Sequence, residues 1–376
     1  MAVEIRPVSP IKKELKKYVE FGIDLYDGNQ YFVPPLVVDE INTLSPEKNP
    51  AFEFCQAQSF MAYRDGKPVG RITVIINDIE NQRTERKSMR FGFVDFIDDP
   101  EVVDALFDAA CQWGRQRGMT SIVGPLGFSD MDHEGMLTDG FDQTGTMATI
   151  YNYPYYPAHM QRMGFEKDAE WVEFRVTVPD EIPEKHKRIA QLVQTRNNLR
   201  IKKYTSRKKI KEEYGVALFE LINEAYDKLY GYCPLSPRQI QYYIDIYLGI
   251  LNLDLVTLVV DADDKLVAVG ISIQSFSKAL QKSRGKLLPL GWWHLAKALR
   301  GKSDTVDLLL IAVKPEYQNK GVNALLFADL IPYYRKYGFK HAESNPELLD
   351  NAKVQDQWQY FENRLHRRRC AWRKDL

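Results

Sequence analysis

Residues Ile311-Ala312-Val313-Lys314-Pro315-Glu316-Tyr317-Gln318-Asn319-Lys320-Gly321-Val322-Asn323-Ala324-Leu325-Leu326 join the end of one apolar run to the start of another. The run Thr305 to Val313 is rich in Val, Leu and Ile and reads as a buried strand. A helix is expected from about Val322. Between them stands a five-residue loop, Tyr317-Gln318-Asn319-Lys320-Gly321. In such a loop successive backbone N–H groups point inward, and the helix dipole adds partial positive charge at the same place. Gly321 is expected to let the backbone approach an anion closely, and Lys320 adds charge at the rim. The stretch predicts a phosphate-type site at a strand-to-helix turn.

The same helix occurs earlier without its loop. Val102 to Gly118 aligns with Val322 to Gly338 at an offset of 220, placing Leu106 on Leu326, Phe107 on Phe327, Arg115 on Arg335 and Gly118 on Gly338. The preceding Pro100-Glu101 matches Pro315-Glu316 at an offset of 215, so the difference is the loop itself. The first helix start is acidic instead, with Asp98, Asp99, Glu101 and Asp104. Two further matches keep the same order. Val3 to Tyr18 aligns with Leu199 to Tyr214 at an offset of 196, and a hairpin turning at Asp65-Gly66-Lys67 matches one turning at Asp263-Asp264-Lys265. Two copies of one mixed α/β domain account for the length and the offsets. We expect domains at 1–178 and 199–376, each a central mixed sheet flanked by helices, joined by a charged helix within 179–198.

The motif Gln318-x-x-Gly321-x-Asn323 resembles the coenzyme A motif of the GNAT acyltransferase superfamily, (Q/R)-x-x-G-x-(G/A), with Asn323 where that family prefers Gly or Ala. The resemblance is specific in sequence only around Thr305 to Ser344; in element order it spans nearly the whole chain. It implies two tandem GNAT-like domains, of which the second binds acetyl- or acyl-coenzyme A as co-substrate. It places the cofactor against Ile311, Ala312, Val313, Gln318, Asn319, Lys320, Gly321, Val322, Asn323 and Ala324. It implies transfer of the acyl group to an amine, with the first, degenerate domain on the acceptor side. The alternative is a pair that holds acyl-coenzyme A without turnover.

Acyl transfer to an amine needs a base, a polarised thioester carbonyl and a proton for the leaving thiolate. The resemblance puts the thioester where the strands Thr305 to Val313 and Lys340 to Ser344 part. Glu343, on the second of these, is the candidate base, or else an exposed strand carboxylate. Asn345 is a candidate for polarising the carbonyl, or a helix cap. A helix is expected over roughly 346–363. Tyr360 is its one tyrosine and the candidate acid, or else a core contact like Trp358 and Phe361.

In the first half the loop from Gly124 to Gly135 is rich in Gly and acid. It follows a strand end, where long loops tend to be functional. His133, Glu134, Asn152, Tyr153 and Tyr155 are the candidates for an acidic, aromatic acceptor pocket. Asp130, Asp132, His133 and Glu134 fit no standard metal-ligand spacing, so no metal is expected.

Lys plus Arg equals Asp plus Glu at 51 each, so no global field draws nucleic acid to the chain. The basic run Arg364 to Arg373 is expected to be a solvated strand face, with RNA binding as the rival reading. No CxxC pair, signal-peptide core or membrane-length apolar run occurs, and a reducing, cytoplasmic setting is expected. From Ser277 to Ser303 there is no acid, but Lys278, Lys282, Arg284, Lys286, Lys297, Arg300 and Lys302 occur with Trp292 and Trp293. A helix from about Leu290 to Arg300 would be an interfacial foot, a lid, or a helix packed on the protein. The first would make the acceptor amphipathic or lipid-like and place the chain at the inner face of a membrane.

Overall fold

A computed structural model describes residues 2–247, 249–300 and 303–376, apart from the side chains of Arg300, Ala352 and Lys353. Lys302, counted above among the basic residues, lies outside the described residues. The first part of the chain forms β1 (Glu4–Val8), α1 (Lys12–Asp24), α2 (Val37–Thr43), β2 (Cys55–Arg64), β3 (Lys67–Asn77) and α3 (Asp78–Thr84). It continues through β4 (Ser88–Phe96), α4 (Pro100–Arg115), β5 (Ser121–Gly124), β6 (Met136–Asp139), α5 (Tyr155–Arg162) and β7 (Glu166–Thr177). Then come α6 (Glu184–Arg196), β8 (Arg200–Lys202), α7 (Arg207–Tyr226), α8 (Pro237–Tyr247), β9 (Val256–Val260) and β10 (Leu266–Gln274). The chain closes with α9 (Ser277–Ser283), α10 (Gly291–Arg300), β11 (Thr305–Val313), α11 (Asn323–Tyr337), β12 (His341–Ser344), β13 (Glu347–Leu348), α12 (Ala352–Gln355) and β14 (Asn363–Asp375).

The chain is mixed α/β and divides into two compact units. Unit 1 holds 1–172, 276–297 and 366–376; unit 2 holds 173–275 and 298–365. Unit 1 orders its strands β1-β2-β3-β4-β5-β14, and unit 2 orders its strands β7-β12-β11-β10-β9-β8. Each contains one parallel pair, β4 with β5 and β11 with β12, among antiparallel neighbours. The hairpin joining β2 and β3 turns through Asp65 and Gly66, both at positive φ, which matches the right-handed twist of the flanking strands. In unit 1, α4 lays Val102, Val103, Leu106, Phe107 and Ala110 on Ile72, Phe91 and Phe96 of the sheet. In unit 2, α11 splits its apolar side chains between two clusters. Phe327, Leu330 and Ile331 pack with Val306, Leu308 and Ala342, whereas Ala324, Leu325 and Leu326 pack with Val267, Val313 and the inner face of α6.

The units are not collinear with the repeat. The strand beside β5 is the C-terminal β14, paired from Trp372↔Gly124 to Asp375↔Ser121. The strand beside β12 is the end of β7, paired from His341↔Thr177 to Glu343↔Arg175. This placement corrects the reading of the basic C-terminal run as solvated. Arg367 and Arg369 are fully buried in unit 1, donating to the backbone carbonyls of Thr144, Gly135 and Ile150. The long helix expected over 346–363 is also replaced. Glu347 and Leu348 pair with β7 and keep the chain extended. Only the short α12 and a 3-10 turn at Asp356–Tyr360 follow. No helix among the described residues is long and apolar enough to cross a membrane.

Candidate functional site

In unit 2, β11 and β12 run in parallel from Thr305↔His341 to Leu308↔Ser344. β12 ends there, while β11 continues to Val313, so the two strands part. At the same point Leu309 is an extra residue opposite β10, whose pairing steps from Ser272↔Leu308 to Ile271↔Leu310. Such a bulge bends a strand and disrupts its ladder locally. Across the opening, the Asn345 side-chain amide donates to the Leu309 carbonyl. Asn345 therefore caps no helix; it spans the two strands.

Beyond β11 the chain makes a 3-10 turn at Pro315–Tyr317 and reaches α11 through the loop expected from the sequence. Gln318 Nε2 donates to the Val313 carbonyl at 3.0 Å and ties the loop back onto the strand. Asn319 and Gly321 both have positive φ. Val322, the residue capping α11, supplies no side-chain acceptor. Among the described residues the N–H groups of Asn319, Gly321, Val322 and Asn323 have no protein acceptor. These donors, at a helix N-terminus, fit the diphosphate of a coenzyme A ester. Lys320 is exposed beside them, its Nζ 5.3 Å from the Tyr317 ring centre. Ala312, Val313, Val322 and Ala324 are buried, so none of them offers a side chain to a ligand. The half-buried Ile311 accepts from Tyr226 Oη at 2.9 Å.

The reason expected for Gly321 differs from the one found. A Cβ at this position would lie 2.8 Å from Ile189 Cγ2 and 3.3 Å from Val193 Cγ2 on α6. The glycine serves the close approach of α6, together with its φ of +79°.

Glu343 is buried on β12 beside Asp307 of β11, with Arg175 Nη1 at 3.5 Å. Its neighbour Ala342 packs with Phe327 of α11. Strand side chains alternate, so Glu343 faces the other side of the sheet. Tyr360 stands on the α11 side, its ring 5.2 Å from His186 and its hydroxyl accepting from Lys185 at 2.8 Å. The structure therefore does not bring Tyr360 and Glu343 together. A carboxyl the sequence did not single out lies just past the opening. Glu347 receives the Trp358 indole N–H at 2.9 Å, and Trp358 packs in the α11 cluster. Burial pushes the Glu347 carboxyl up to about 8, against the opposing effect of the Trp358 bond.

The equivalent opening in unit 1 is filled. After β5 the chain passes a cis Gly124-Pro125 bond and turns back, and Leu126 N–H donates to the Phe91 carbonyl at 2.8 Å. A Cβ on Gly92 would meet the Leu126 carbonyl at 2.3 Å. Arg90 fixes the loop further, donating to Gly127 O at 3.0 Å and to Glu80 at 2.8 Å. Within the loop burial pushes Asp130 up to about 7 and Asp132 up to about 6, and raises Glu134 as well.

His133, its ring nitrogen 2.9 Å from the Met147 carbonyl, lines a narrow cavity of about 70 Å³ with Tyr26, Phe32, Tyr151 and Arg71. Burial lowers the His133 pKa. Arg71 is buried there between Glu40 at 2.6 Å and Asp95 at 2.7 Å, a cluster assembled from three distant segments. Three of the other acceptor candidates, Asn152, Tyr153 and Tyr155, are internal braces. Asn152 holds Leu137 N–H at 2.7 Å and its carbonyl at 3.0 Å. Tyr153 Oη donates to Leu25 O at 3.4 Å, and Tyr155 Oη to Phe96 O at 2.7 Å.

No family model matches the chain. It is 27% identical over 326 residues to protein YghO of Escherichia coli strain K12, covering 86% of this chain and 82% of that protein. It is 28% identical over 320 residues to a bacterial ceramide synthase of Caulobacter vibrioides, covering 83% of this chain and 81% of that protein. Among solved structures, a tandem GNAT protein from the clavulanic acid biosynthesis pathway aligns at a TM-score of 0.59 and 13% identity, over 99% of this chain and 98% of that one. Two units with one element order, each with a parallel strand pair that parts or is plugged at the same place, have the tandem, two-domain fold of the GNAT superfamily.

Proposed function

We propose that the chain transfers an acyl group from an acyl-coenzyme A to the amine of a long-chain, amphipathic acceptor, forming an N-acyl amide. One observation carries this reading: among the described residues the N–H groups at the start of α11 have no acceptor and stand beside an open strand pair in unit 2, whereas in unit 1 Asp99 caps the matching helix and Leu126 fills the matching gap. The likeness to a bacterial ceramide synthase supports a lipid-like amine as acceptor and a long acyl chain as donor.

In this reading the backbone at Asn319 and Gly321 to Asn323 holds the diphosphate, and Gln318 keeps the loop in place. The thioester supplies the electrophilic carbonyl; the new bond is C–N and the bond broken is C–S. Glu343 faces the side of the sheet away from Trp358 and Glu347, so in this reading the attacking amine gives its proton to water. Glu347 is protonated at neutral pH because its carboxyl is pushed up to about 8, and it gives its proton to the departing thiolate. Asn345 Nδ2 is the side-chain donor at the opening.

The test is release of free thiol from acyl-coenzyme A esters of increasing chain length, with a long-chain amino alcohol or a short amine as acceptor. The expected result is thiol release and an amide product by mass spectrometry with the long-chain pair, and at least tenfold slower turnover of the short amine. Tight coenzyme A binding by calorimetry without thiol release from any pair would leave a binding module and end the transferase reading.

A further inference from the structure

The excursion between β10 and β11 belongs by sequence to the second repeat, yet residues 276–297 are built into unit 1. Its base is pinned. Arg284 reaches Asp24 and Asp27, both at 2.7 Å, and Lys286 reaches Glu20 at 2.9 Å. Gln281 Nε2 donates to the carbonyls of Gln30 at 2.8 Å and Phe32 at 3.0 Å. Val37 N–H donates to Gly285 O at 3.0 Å, and a Cβ on Gly285 would lie 2.0 Å from Pro35 O. Two of the basic residues read from sequence as free surface charge, Arg284 and Lys286, are thus spent on holding this base.

The turn beyond the base is left in water. Leu288 is 77% exposed, Leu290 65%, Trp292 53% and Trp293 49%. No acid occurs from Ser277 to Ser303, and Lys282 and Lys297 flank the apolar tip, both exposed and without a carboxylate partner among the described residues. Lys297 Nζ lies 5.2 Å from the Trp293 ring centre. Large apolar side chains beside tryptophan and lysine suit the boundary between headgroups and acyl chains, where the rings and aliphatic stems are buried and the ammonium groups stay wet.

We propose that the turn from Leu287 to Lys297 docks unit 1 on an anionic lipid bilayer, with Leu288, Leu290, Trp292 and Trp293 entering the interface and Lys282 and Lys297 facing the lipid phosphates. Charge selects this occupant over a second copy of the chain. An isologous contact between two such tips would set lysine against lysine, whereas anionic headgroups complement both. Phe32 and Pro35, held at the pinned base, also line the unit 1 cavity, so a bilayer at the tip lies beside it. The docking surface stands independently of the acyl-transfer reading.

The experiment is flotation of the full chain with phosphatidylcholine vesicles, with and without phosphatidylglycerol. The two lysines predict binding about thirtyfold tighter to the anionic vesicles at low salt, an advantage lost at high salt. Trp113, Trp171, Trp358 and Trp372 are buried. Quenching of tryptophan emission by lipids brominated near the headgroup therefore reports Trp292 and Trp293. Leu288→Asp with Leu290→Asp should lower vesicle affinity at least tenfold without changing the melting temperature. Lys282→Glu with Lys297→Glu should remove the preference for anionic lipid and retain binding to neutral vesicles. Absence of flotation overturns the proposal. So do variants that float like the parent, and so does a dimer by sedimentation equilibrium that the aspartates dissociate while the parent fails to float.

Discussion

At the start of α4 the Asp99 carboxylate accepts the N–H groups of Glu101 at 3.0 Å and Val102 at 3.4 Å, and Arg64 holds that carboxylate in place. At the start of α11 no side chain does this, and among the described residues the N–H groups of Gly321, Val322 and Asn323 have no acceptor. The same contrast recurs one strand away. Between β4 and β5 the backbone of Leu126 plugs the gap; between β11 and β12 one amide, from Asn345, reaches across. Five extra residues leave the start of one helix without a side-chain cap, while an acidic cap and a returning loop close the matching place in the other copy. What unit 1 has in exchange is a buried ionic cluster, Arg71 with Glu40 and Asp95.

The largest effect is expected in that cluster. Arg71→Met leaves two buried carboxylates without their cation, which typically costs about 3–5 kcal/mol. The earliest urea transition should move to lower denaturant, while coenzyme A affinity of the still-folded protein should stay within twofold of the parent. A loss below about 1 kcal/mol would mean that the cluster is not what holds unit 1 closed.

The second expected effect tests the open helix. Asn323→Glu adds a carboxylate to the first turn of α11, where negative charge favours the helix itself. Stability should therefore hold or rise slightly, while affinity for coenzyme A falls about tenfold, read by calorimetry. Asn323→Ala, which restores the residue type the superfamily prefers, should leave affinity equal or tighter. Asn323 Nδ2 lies 3.4 Å from Gln357 Oε1, so only a long contact is lost in either variant. Equal affinity for all three proteins would remove the diphosphate from this helix. Gly321→Asp is a poor version of the test, because its Cβ would strike Ile189 on α6 whether or not an anion binds.

The contrast between the helix starts was legible in the sequence because it is local. An acidic cap, a proline and a five-residue insertion act within one turn of where they stand. The order of elements was legible for the same reason, through periodicity and turn residues. What could not be read depends on partners far along the chain. Arg367 and Arg369 look like a solvated face until the carbonyls of Thr144, Gly135 and Ile150 are brought to them. Arg71 lies in the middle of β3, and Glu40 and Asp95 are 31 and 24 residues away. The segment after Asn345 was expected to be a helix that carries Tyr360 into the site. Pairing of Glu347 and Leu348 with β7 holds it extended instead, and Tyr360 ends beside Lys185. Glu343 was legible as an acid at the parting strands, but its buried surroundings, with Arg175 and Asp307 beside it, were not.

The smallest expected effect separates two carboxyls that both follow the parallel strand pair. Asp132 accepts the N–H groups of Phe128 at 2.8 Å and Ser129 at 3.1 Å, so it shapes a turn. Glu347 is held by the Trp358 indole, and burial pushes it up to about 8. A carboxyl raised in the folded state binds its proton more tightly there than in the unfolded chain. The stability it contributes is full below the ordinary carboxylate range and is lost as pH rises through about 8. Glu347 is partly exposed, so solvent screening trims that loss to about 1 kcal/mol between pH 5 and pH 9. Glu347→Gln should flatten the profile, making the variant the more stable protein at pH 9 and nearly equal to the parent at pH 5. Asp132 is raised only to about 6, so the pH dependence it imposes is complete near that value, and Asp132→Asn should change the profile below about pH 7 and leave its slope from pH 7 to pH 9 as in the parent. Turnover adds the readout that packing alone would not move. If Glu347 supplies the proton to the thiolate, Glu347→Gln should slow thiol release most below pH 8 and leave the apparent affinity for the acyl-coenzyme A unchanged. Parallel stability profiles for the two variants, with turnover unaffected by either, would make Glu347 a packing residue like Asp132 and leave the thiolate's proton to solvent.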